Sequence, residues 1–576
     1  MKWILVVSDD AIINALSKSA GLHPLIARLM VNRGITELSA ARAFLECELS
    51  TLSDPGIFSQ MDEAVERIQR AIRGHEKITV YGDYDVDGVT GTSLLYLVLK
   101  DMGADASWYI PDRMTEGYGL NNNALQAIQT SDTRLVISVD CGISAAREAE
   151  VARSLGVDLI ITDHHEINSL NDSNLPNAYA VLHPSLLIRG VSPGLCEQVS
   201  GLTGVGIAFK LAQALLDAGA RDERLHAYLD LITLGTVADM AKITGENRTL
   251  VKHGLKLLST DSEQQRPGIA ALKQVSGLDR KKISVGMVGF SLAPRINAGG
   301  RLARADTAVR LLTTDSAVEA FKLASELDAV NQERQAVEKI IWEEARQYCR
   351  QTDTDMAGAL VLSSEEWHPG VIGIVASRIV EEFYRPTALI RLNNGVGKGS
   401  ARSIPGFDLY EGLAACSDLL MGFGGHRFAA GFTIREDKIP QFRDRLNSIA
   451  LERIGKQGFI RTLLVDSSVT LEELDRNLVQ EIDKLAPFGQ GNTEPRLGAR
   501  DLTVISSRIV GNNHLKLRLR QHSDVTLNAI AFNCGKLLGK QVRDGSRLAA
   551  VFIPRINIWN EKPSVELEIK DIKTHS

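Results

Sequence analysis

The sequence lacks paired cysteines, long uncharged apolar runs and any excess of positive charge, and each absence removes a class of protein. Six cysteines, Cys47, Cys141, Cys196, Cys349, Cys416 and Cys534, lie far apart with no C-x-x-C pair. That spacing excludes a disulfide framework and a thiolate zinc site and suits reduced thiols. No stretch approaches the roughly 18 uncharged apolar residues of a membrane helix. The opening MKWILVVSDDAII has a short apolar run, but it lacks a small-residue cleavage site and soon meets Asp9 and Asp10. A cytoplasmic protein with no membrane association is therefore expected. The net charge of -6 excludes a uniformly basic nucleic-acid coat, so such a partner would have to meet a local patch.

What is present is ordinary globular composition, 44% hydrophobic and 24% charged. The length of 576 residues accommodates about three or four domains. The most informative stretch runs from Lys77 to Gly91, KITVYGDYDVDGVTG. An apolar β-type run delivers Asp83, Asp85 and Asp87 at every second position, and Gly88 turns the chain into a helical pattern. Three carboxylates so close repel one another unless a cation lies between them. A calcium loop of the D-x-D-x-D-G type needs a carboxylate at its twelfth position. Counted from Asp83 that position is Leu94, so this reading fails.

In chain order, residues 1–75 read as a helical cap on the next domain, with Gly34 and Gly74 as stops. Residues 76–314 alternate strand and helix, which predicts a parallel sheet covered on both faces. Three of its strands end in acidic residues: the Asp83 group, Asp140 in DCG and Asp163 in DHH. Parallel strands place those ends on one sheet edge, giving an acidic cleft that also bears His164 and His165. The helical pattern LHAYLDLITLGTVADM adds Asp239.

Residues 315–350 read as a long charged helix connecting two lobes. Residues 351–460 form a second α/β lobe containing the glycine-rich GVGKGSARS and GFGGHRFAAG. Those glycines allow close ligand approach, with Lys398, Arg402 and His426 available to an anion, or equally reflect tight turns. Residues 461–576 read as short alternating strands of a small β-barrel. Its stretch 496–555 carries 11 Lys and Arg against 3 Asp and Glu. There Lys516, Arg518 and Arg520 share one strand face, a place for a nucleic-acid backbone or simply a solvated face.

Hard oxygen donors with imidazole suit magnesium or manganese. Asp85, Asp87, Asp140, His164 and Asp239 suffice for two such ions, which implies phosphodiester or phosphoanhydride hydrolysis. His165 is left free to approach the phosphate. Cys141 reads as packing, since no base is placed to activate it.

The ordered series GDYDVDG (82–88), DCG (140–142), DHH (163–165) and GTVAD (235–239) resembles the DHH phosphoesterases. The runs APRINAGGR (293–301), WHPGVIGIVASR (367–378), GKGSARS (397–403), GFGGH (422–426) and APFGQGN (486–492) are similar to the RecJ single-strand exonuclease branch. This resemblance implies a parallel-sheet DHH lobe, a DHH-associated lobe joined to it by the long helix, and an OB-type barrel. It implies 5′-to-3′ hydrolysis of single-stranded DNA to mononucleotides with two Mn2+ or Mg2+ ions, in recombination and repair. By the same resemblance Asp85, Asp87, Asp140, His164 and Asp239 match the metal ligands, and His165 and Asp83 join the catalytic set. Gly424, Gly425 and His426 match a substrate-binding motif, and Arg301, Arg113, Ser400, Arg378 and Arg402 are candidates for gripping phosphates near the 5′ end. The sequence departs from the wider superfamily at Tyr81, where many members place a metal-binding histidine. Expected partners are single-stranded DNA, single-strand-binding protein and a RecQ-type helicase, acting with a monomer. The competing readings are a small-substrate DHH phosphodiesterase and a non-catalytic binding relative. The basic barrel opposes the first, and the intact carboxylate set opposes the second.

Overall fold

The computed structural model describes residues 1–113, 115–167, 175–216, 223–261, 265–351, 356–559 and 562–574. Val- and Ile-rich runs near the start form a five-stranded parallel sheet in the order Ala106–Tyr109, Lys77–Gly82, Thr133–Val139, Asp158–Thr162, Ala180–Leu182. Its register sets Gly82 opposite Val139 and Val139 opposite Thr162, so three acidic strand ends reach one edge together. Helices Val86–Asp101, Gly204–Leu215 and Leu229–Ala238 pack against one another in the core beneath that edge.

The connecting helix runs from Ala317 to Gln351. Leu323 and Leu327 join the core of the first lobe, while Ile341, Ala345 and Cys349 join that of the second. One element thereby belongs to two cores. The second lobe is a mixed five-stranded sheet in the order Leu420–Gly425, Ala429–Arg435, Val396–Arg402, Thr387–Asn393, Leu360–Ser364. The glycine-rich GVGKGSARS proves to be a strand rather than a turn. At Gly399 a Cβ would lie 2.2 Å from the Phe432 ring, so close packing across the sheet explains that residue.

The C-terminal strands close into a barrel: Leu497–Val510, His514–Arg520, Thr526–Ala531, Lys562–Thr574 and Arg547–Trp559, which returns to the first. Closure leaves few free edges.

The amino-terminal segment differs from expectation. Lys2–Leu5 is a strand that pairs in parallel with Thr462–Val465. Ile13, Leu16, Ile26 and Leu29 share a core with Leu515 and Phe552 of the barrel, while Leu52, Ile57, Phe58 and the helix Met61–Arg73 pack into the first lobe. Helical periodicity reveals an apolar face but not its partner.

One buried pair secures the helix Gly204–Leu215. Lys210 Nζ lies 2.8 Å from Glu246 Oε2 and donates to Ser53 O at 2.8 Å, with both charged side chains buried. Lys210→Met should cost about 3 to 5 kcal/mol, because Glu246 is left buried and unpaired. Denaturant titration checks this. Lys210→Met combined with Glu246→Met should recover most of the loss, and a double variant as unstable as the single would refute the account.

Candidate active site

The acidic edge is assembled from backbone donors as much as from side chains. Asp85 caps the helix Val86–Asp101, its Oδ1 accepting from the N–H groups of Asp87 at 2.9 Å and Gly88 at 3.1 Å. Asp87 is buried, and its two oxygens accept from the N–H groups of Gly204 at 2.6 Å and Val205 at 3.0 Å. The positive end of the helix Gly204–Leu215 therefore faces a carboxylate. A Cβ on Gly204 would sit 2.6 Å from that of Asp140, so only glycine lets this helix end come so close. Asp140 itself adopts a left-handed φ of 63°, a conformation that costs of order 1 to 3 kcal/mol away from glycine and collects at functional sites.

His164 Nε2 lies 3.0 Å from Asp140 Oδ1 and 3.7 Å from Asp87 Oδ2. Three sets place one ligand atom per residue within 4.8 Å of one another: Asp83, Asp85 and Asp140; Asp87, His164 and Asp239; and Asp140, His164 and His165. Asp140 links the first set to the last.

Burial, reinforced by the neighbouring carboxylates, raises Asp87 to about 7 and Asp239 to about 8. The same two causes hold Asp83 and Asp140 well above the carboxylate range. Burial and the charge of His165 push His164 down to about 4, so its imidazole is neutral and free to ligate. His165 goes the other way. Burial alone would lower it, but the Asp163 hydrogen bond and charge raise it to about 9. Asp83 Oδ1 is buried with no hydrogen-bond donor. An orphaned carboxylate oxygen among like charges, beside a neutral imidazole, fits a hard divalent cation.

A second pocket opens beside the first. A cavity of about 470 Å³ is lined by Arg113, Arg301, Lys398, Ser400, Arg402 and Gly424 among others, and a cavity of about 350 Å³ by Asp83, Asp85, Asp239, Arg113 and Arg301. Burial, then the like charges of Arg113, Arg334 and Arg402, lower Arg301 to about 10. Arg402 is lowered by burial and by Arg113, and its Nη1 donates to Ser400 Oγ at 3.2 Å. Arg113, Arg301 and Arg402 form no ion pair among the described residues, and three guanidinium groups gathered in this way have the chemistry to receive an anion. Gly424 lines both the arginine-lined cavity and a second cleft, of about 1000 Å³, where Gly425 and His426 join Tyr118, Asp163 and His165. His426 Nδ1 lies 3.6 Å from Glu166 Oε2 across it.

Comparison with known proteins decides the family. The chain is 40% identical to the single-stranded-DNA-specific exonuclease RecJ of Bacillus subtilis over 99% of this chain and 70% of that protein. It is 35% identical to the Escherichia coli enzyme of the same name over 89% of this chain and 90% of that one. This chain belongs to the RecJ family. Models of the DHH family N-terminal domain, the DHHA1 domain and the RecJ OB domain match residues 77–236, 356–452 and 465–571. The crystal structure of Thermus thermophilus RecJ with Mn2+ superposes with a TM-score of 0.82 at 30% identity, covering 100% of this chain and 80% of that one. The same protein has been solved with Mg2+, at a TM-score of 0.77.

Within this RecJ-family site the residue at the departure point has a definite place. Tyr81 is buried, stacks on Tyr109 with centroids 5.3 Å apart and donates its hydroxyl to Gly119 O at 2.9 Å. It braces the loop that carries Tyr118, and Asp83 stands in the acidic set two residues later. Tyr118, which sequence reasoning missed, donates to Asp140 O at 3.2 Å and lies 3.1 Å from His165 Nδ1. Asp163 was visible only as a strand end. Its Oδ2 accepts from Ile143 N–H at 2.8 Å, and its Oδ1 from His164 N–H at 2.7 Å and from His165 Nδ1 at 2.8 Å.

Arg378 is not brought to the pocket. Its Nη1 donates to Glu338 at 3.0 Å and its guanidinium lies over Trp342 at 4.3 Å, so it clamps the second lobe to the connecting helix. Lys516, Arg518 and Arg520 do share a face of the strand His514–Arg520. Lys516 is tied to Glu566 at 3.1 Å, and Arg518 donates to Thr526.

Mn2+ should raise the melting temperature, by the equivalent of about 2.7 kcal/mol when present at a hundredfold excess over Kd. Asp140→Asn should lose the Mn2+ shift. An undiminished shift would place the ion elsewhere. Because Asp87 and Asp239 retain protons near neutrality in the ion-free site, apparent Mn2+ affinity should rise as pH climbs through about 7 and 8. Asp163→Asn should lower activity about 10- to 100-fold through His165, while Mn2+ affinity by calorimetry changes far less.

Proposed function

We propose that this chain is a single-stranded-DNA-specific exonuclease that hydrolyses phosphodiester bonds from the 5′ end and releases 5′-mononucleotides. The observation that carries this reading is the junction of the two pockets, which share Arg113 and Arg301. A site that cuts beside an anion receptor is suited to a strand terminus rather than an interior bond.

Asp83, Asp85 and Asp140 would hold one divalent ion and Asp87, His164 and Asp239 the other, with Mn2+ or Mg2+ as candidates. Bound ions lower the pKa of water and neutralise charge on a phosphoryl oxygen. His165, kept as an imidazolium by Asp163 and steadied by Tyr118, donates to a non-bridging oxygen of the scissile phosphate. Arg113, Arg301 and Arg402, with Ser400, bind the terminal 5′-phosphate and fix how far the strand enters. Gly424 and Gly425 allow the backbone close to the substrate, and His426 faces it from the second lobe. Lys516, Arg518 and Arg520 offer backbone charge on the barrel, with salt-dependent affinity.

The names of the relatives support the substrate, and the metal-bound relatives support the ions. No helix among the described residues is long and apolar enough to cross a membrane. The reading extends to a cytoplasmic monomer in recombination and repair, supplied with single strands by a RecQ-type helicase and single-strand-binding protein.

Long single-stranded DNA blocked at either end tests the central claim. Mononucleotide release should survive a 3′ block, stop with a 5′ block and vanish in Asp140→Ala. Arg402→Ala should erase any preference for a 5′-phosphate over a 5′-hydroxyl. Release that continues past a 5′ block would overturn the polarity. Binding of single strands without degradation would leave the protein as a binding relative.

A further inference from the structure

The run APFGQGN at 486–492 has no part in the acidic pocket or the anion pocket. It lies between the helix Arg476–Asp483 and the first barrel strand, Leu497–Val510, yet its backbone reaches the turn that follows Asp239. Gln490 O accepts from the N–H of Ile243 at 2.7 Å. A Cβ on Gly489 would lie 2.8 Å from Ile243 Cγ1 and 3.5 Å from Val285 Cγ1. Gly491 holds a left-handed φ of 75°, and a Cβ there would meet Lys242 at 3.2 Å and Thr244 at 3.3 Å. The two glycines let one stretch of backbone lie directly on another.

The loop is itself fixed from several sides. Gly489 N–H donates to Asn492 O at 2.9 Å, and Asn492 N–H donates back to Gly489 O at 3.2 Å. The buried Asn492 side chain donates to Leu485 O at 2.9 Å and Pro487 O at 2.8 Å and accepts from Arg33 Nε at 2.8 Å. Arg248, from the first lobe, donates to Ala486 O at 2.9 Å and Pro487 O at 3.3 Å. A turn whose buried polar groups are satisfied in this way is a rigid abutment.

The link from that abutment to the acidic pocket is short. Three residues, Met240, Ala241 and Lys242, separate Asp239 from Ile243. Met240 is 74% exposed, so packing does not hold it, yet it adopts a left-handed φ of 58°. A non-glycine residue stays in that region only where its surroundings impose it. One flank is the helix Leu229–Ala238, closed by Asp239, whose N–H donates to Gly235 O at 2.9 Å. The other is Ile243, buried in the core of the first lobe and tied to Gln490, while Lys242 O accepts from Asn247 Nδ2 at 3.2 Å. Strain directly after a candidate ion ligand, opposed by a loop from a distant part of the chain, marks an imposed position.

We propose that the APFGQGN loop is a positioning element for the reaction: by holding Ile243 it sets where the Asp239 carboxylate stands relative to Asp87 and His164. Gly489 and Gly491 are its positioning residues, acting through Asp239. The assignment rests on the reading above in which Asp87, His164 and Asp239 hold one divalent ion. Because the loop belongs to the segment that leads into the barrel, seating of that segment on the first lobe and completion of the ion site become one event.

Gly489→Ala, Gly491→Ala and Met240→Gly test it by Mn2+ calorimetry on the full chain, each alone and each combined with Asp239→Asn. Met240→Gly relieves strain at an exposed position without repacking and turns the link into a free hinge, so the test stands even where an alanine disturbs the core beneath the loop. Each single variant should weaken Mn2+ binding roughly tenfold. The Mn2+ concentration for half-maximal degradation of single-stranded DNA should rise by a like factor, with kcat at saturating Mn2+ unchanged. In the Asp239→Asn background the same substitutions should lower Mn2+ affinity no further, because both changes act on one ligand. Unchanged affinity in Met240→Gly, or in either alanine variant that melts cooperatively, sinks the proposal. So does a loss that persists in Asp239→Asn, which marks a general loosening of the lobe. If Asp239→Asn binds Mn2+ as wild type does, the ion assignment falls first and takes the role of the loop with it; a weakened Asp239→Asn beside indifferent loop variants overturns the loop alone.

Discussion

Mutual repulsion among carboxylates at one sheet edge is the constraint around which this molecule is arranged. Asp83, Asp87 and Asp140 are all buried, and burial with like charge holds each above its ordinary range. A fold tolerates such a cluster only if something opposes its dispersal. Here part of that opposition is built in. The backbone N–H groups of Gly204 and Val205 receive Asp87, and the first turn of the helix Val86–Asp101 receives the Asp85 cap. These donors fix where the oxygens point without neutralising them, so the remaining charge is left for divalent ions. Preorganisation of this kind moves the cost of gathering the carboxylates into folding, where the sheet core of Val80, Ile137 and Ile160 can bear it.

The anion pocket depends on a different constraint, the rigidity of the joint between lobes. Arg113 and Arg301 come from the first lobe and Ser400 and Arg402 from the second, so the receptor exists only while both are held in register. The connecting helix supplies the register. Besides its two cores, it offers Glu338 to Arg378, Glu344 to Trp367 Nε1 at 2.8 Å and Arg346 to Glu382 at 2.7 Å. Arg378 thus serves the pocket indirectly, by anchoring the helix Ile372–Phe383 from whose start the pocket wall is built.

Most of the acidic edge was legible because parallel strands convert sequence order into spatial neighbourhood. Asp83, Asp140 and Asp163 each follow an apolar run, and once the runs are read as parallel strands their ends must meet. What stayed hidden depends on tertiary direction. Tyr118 lies in a loop whose path is set by a hydrogen bond from Tyr81, and no periodicity reports that. Arg378 carries the right chemistry in the right motif, yet its helix face turns it toward Glu338. The amino-terminal helices were found as helices, but their packing on the barrel needs contacts between residues more than 400 positions apart, such as Asn32 Nδ2 with Asp466 O, which lie 434 apart in sequence. Local pattern fixes element type more firmly than partner.

The adjacent histidines show how far environment outweighs composition at this site. His164 and His165 share a dipeptide, a strand end and a neighbourhood of carboxylates, yet one is driven to about 4 and the other to about 9. The division is made by Asp163, which receives the His165 ring on Oδ1 and only the backbone N–H of His164. With its proton demand met by Asp163, His165 becomes a fixed cation, and its charge suppresses protonation of its neighbour. His164 is thereby left as a neutral donor between Asp87 and Asp140. A single buried carboxylate thus gives two identical side chains opposite protonation states, one neutral and one cationic, the kind of division by environment from which distinct chemical roles are built.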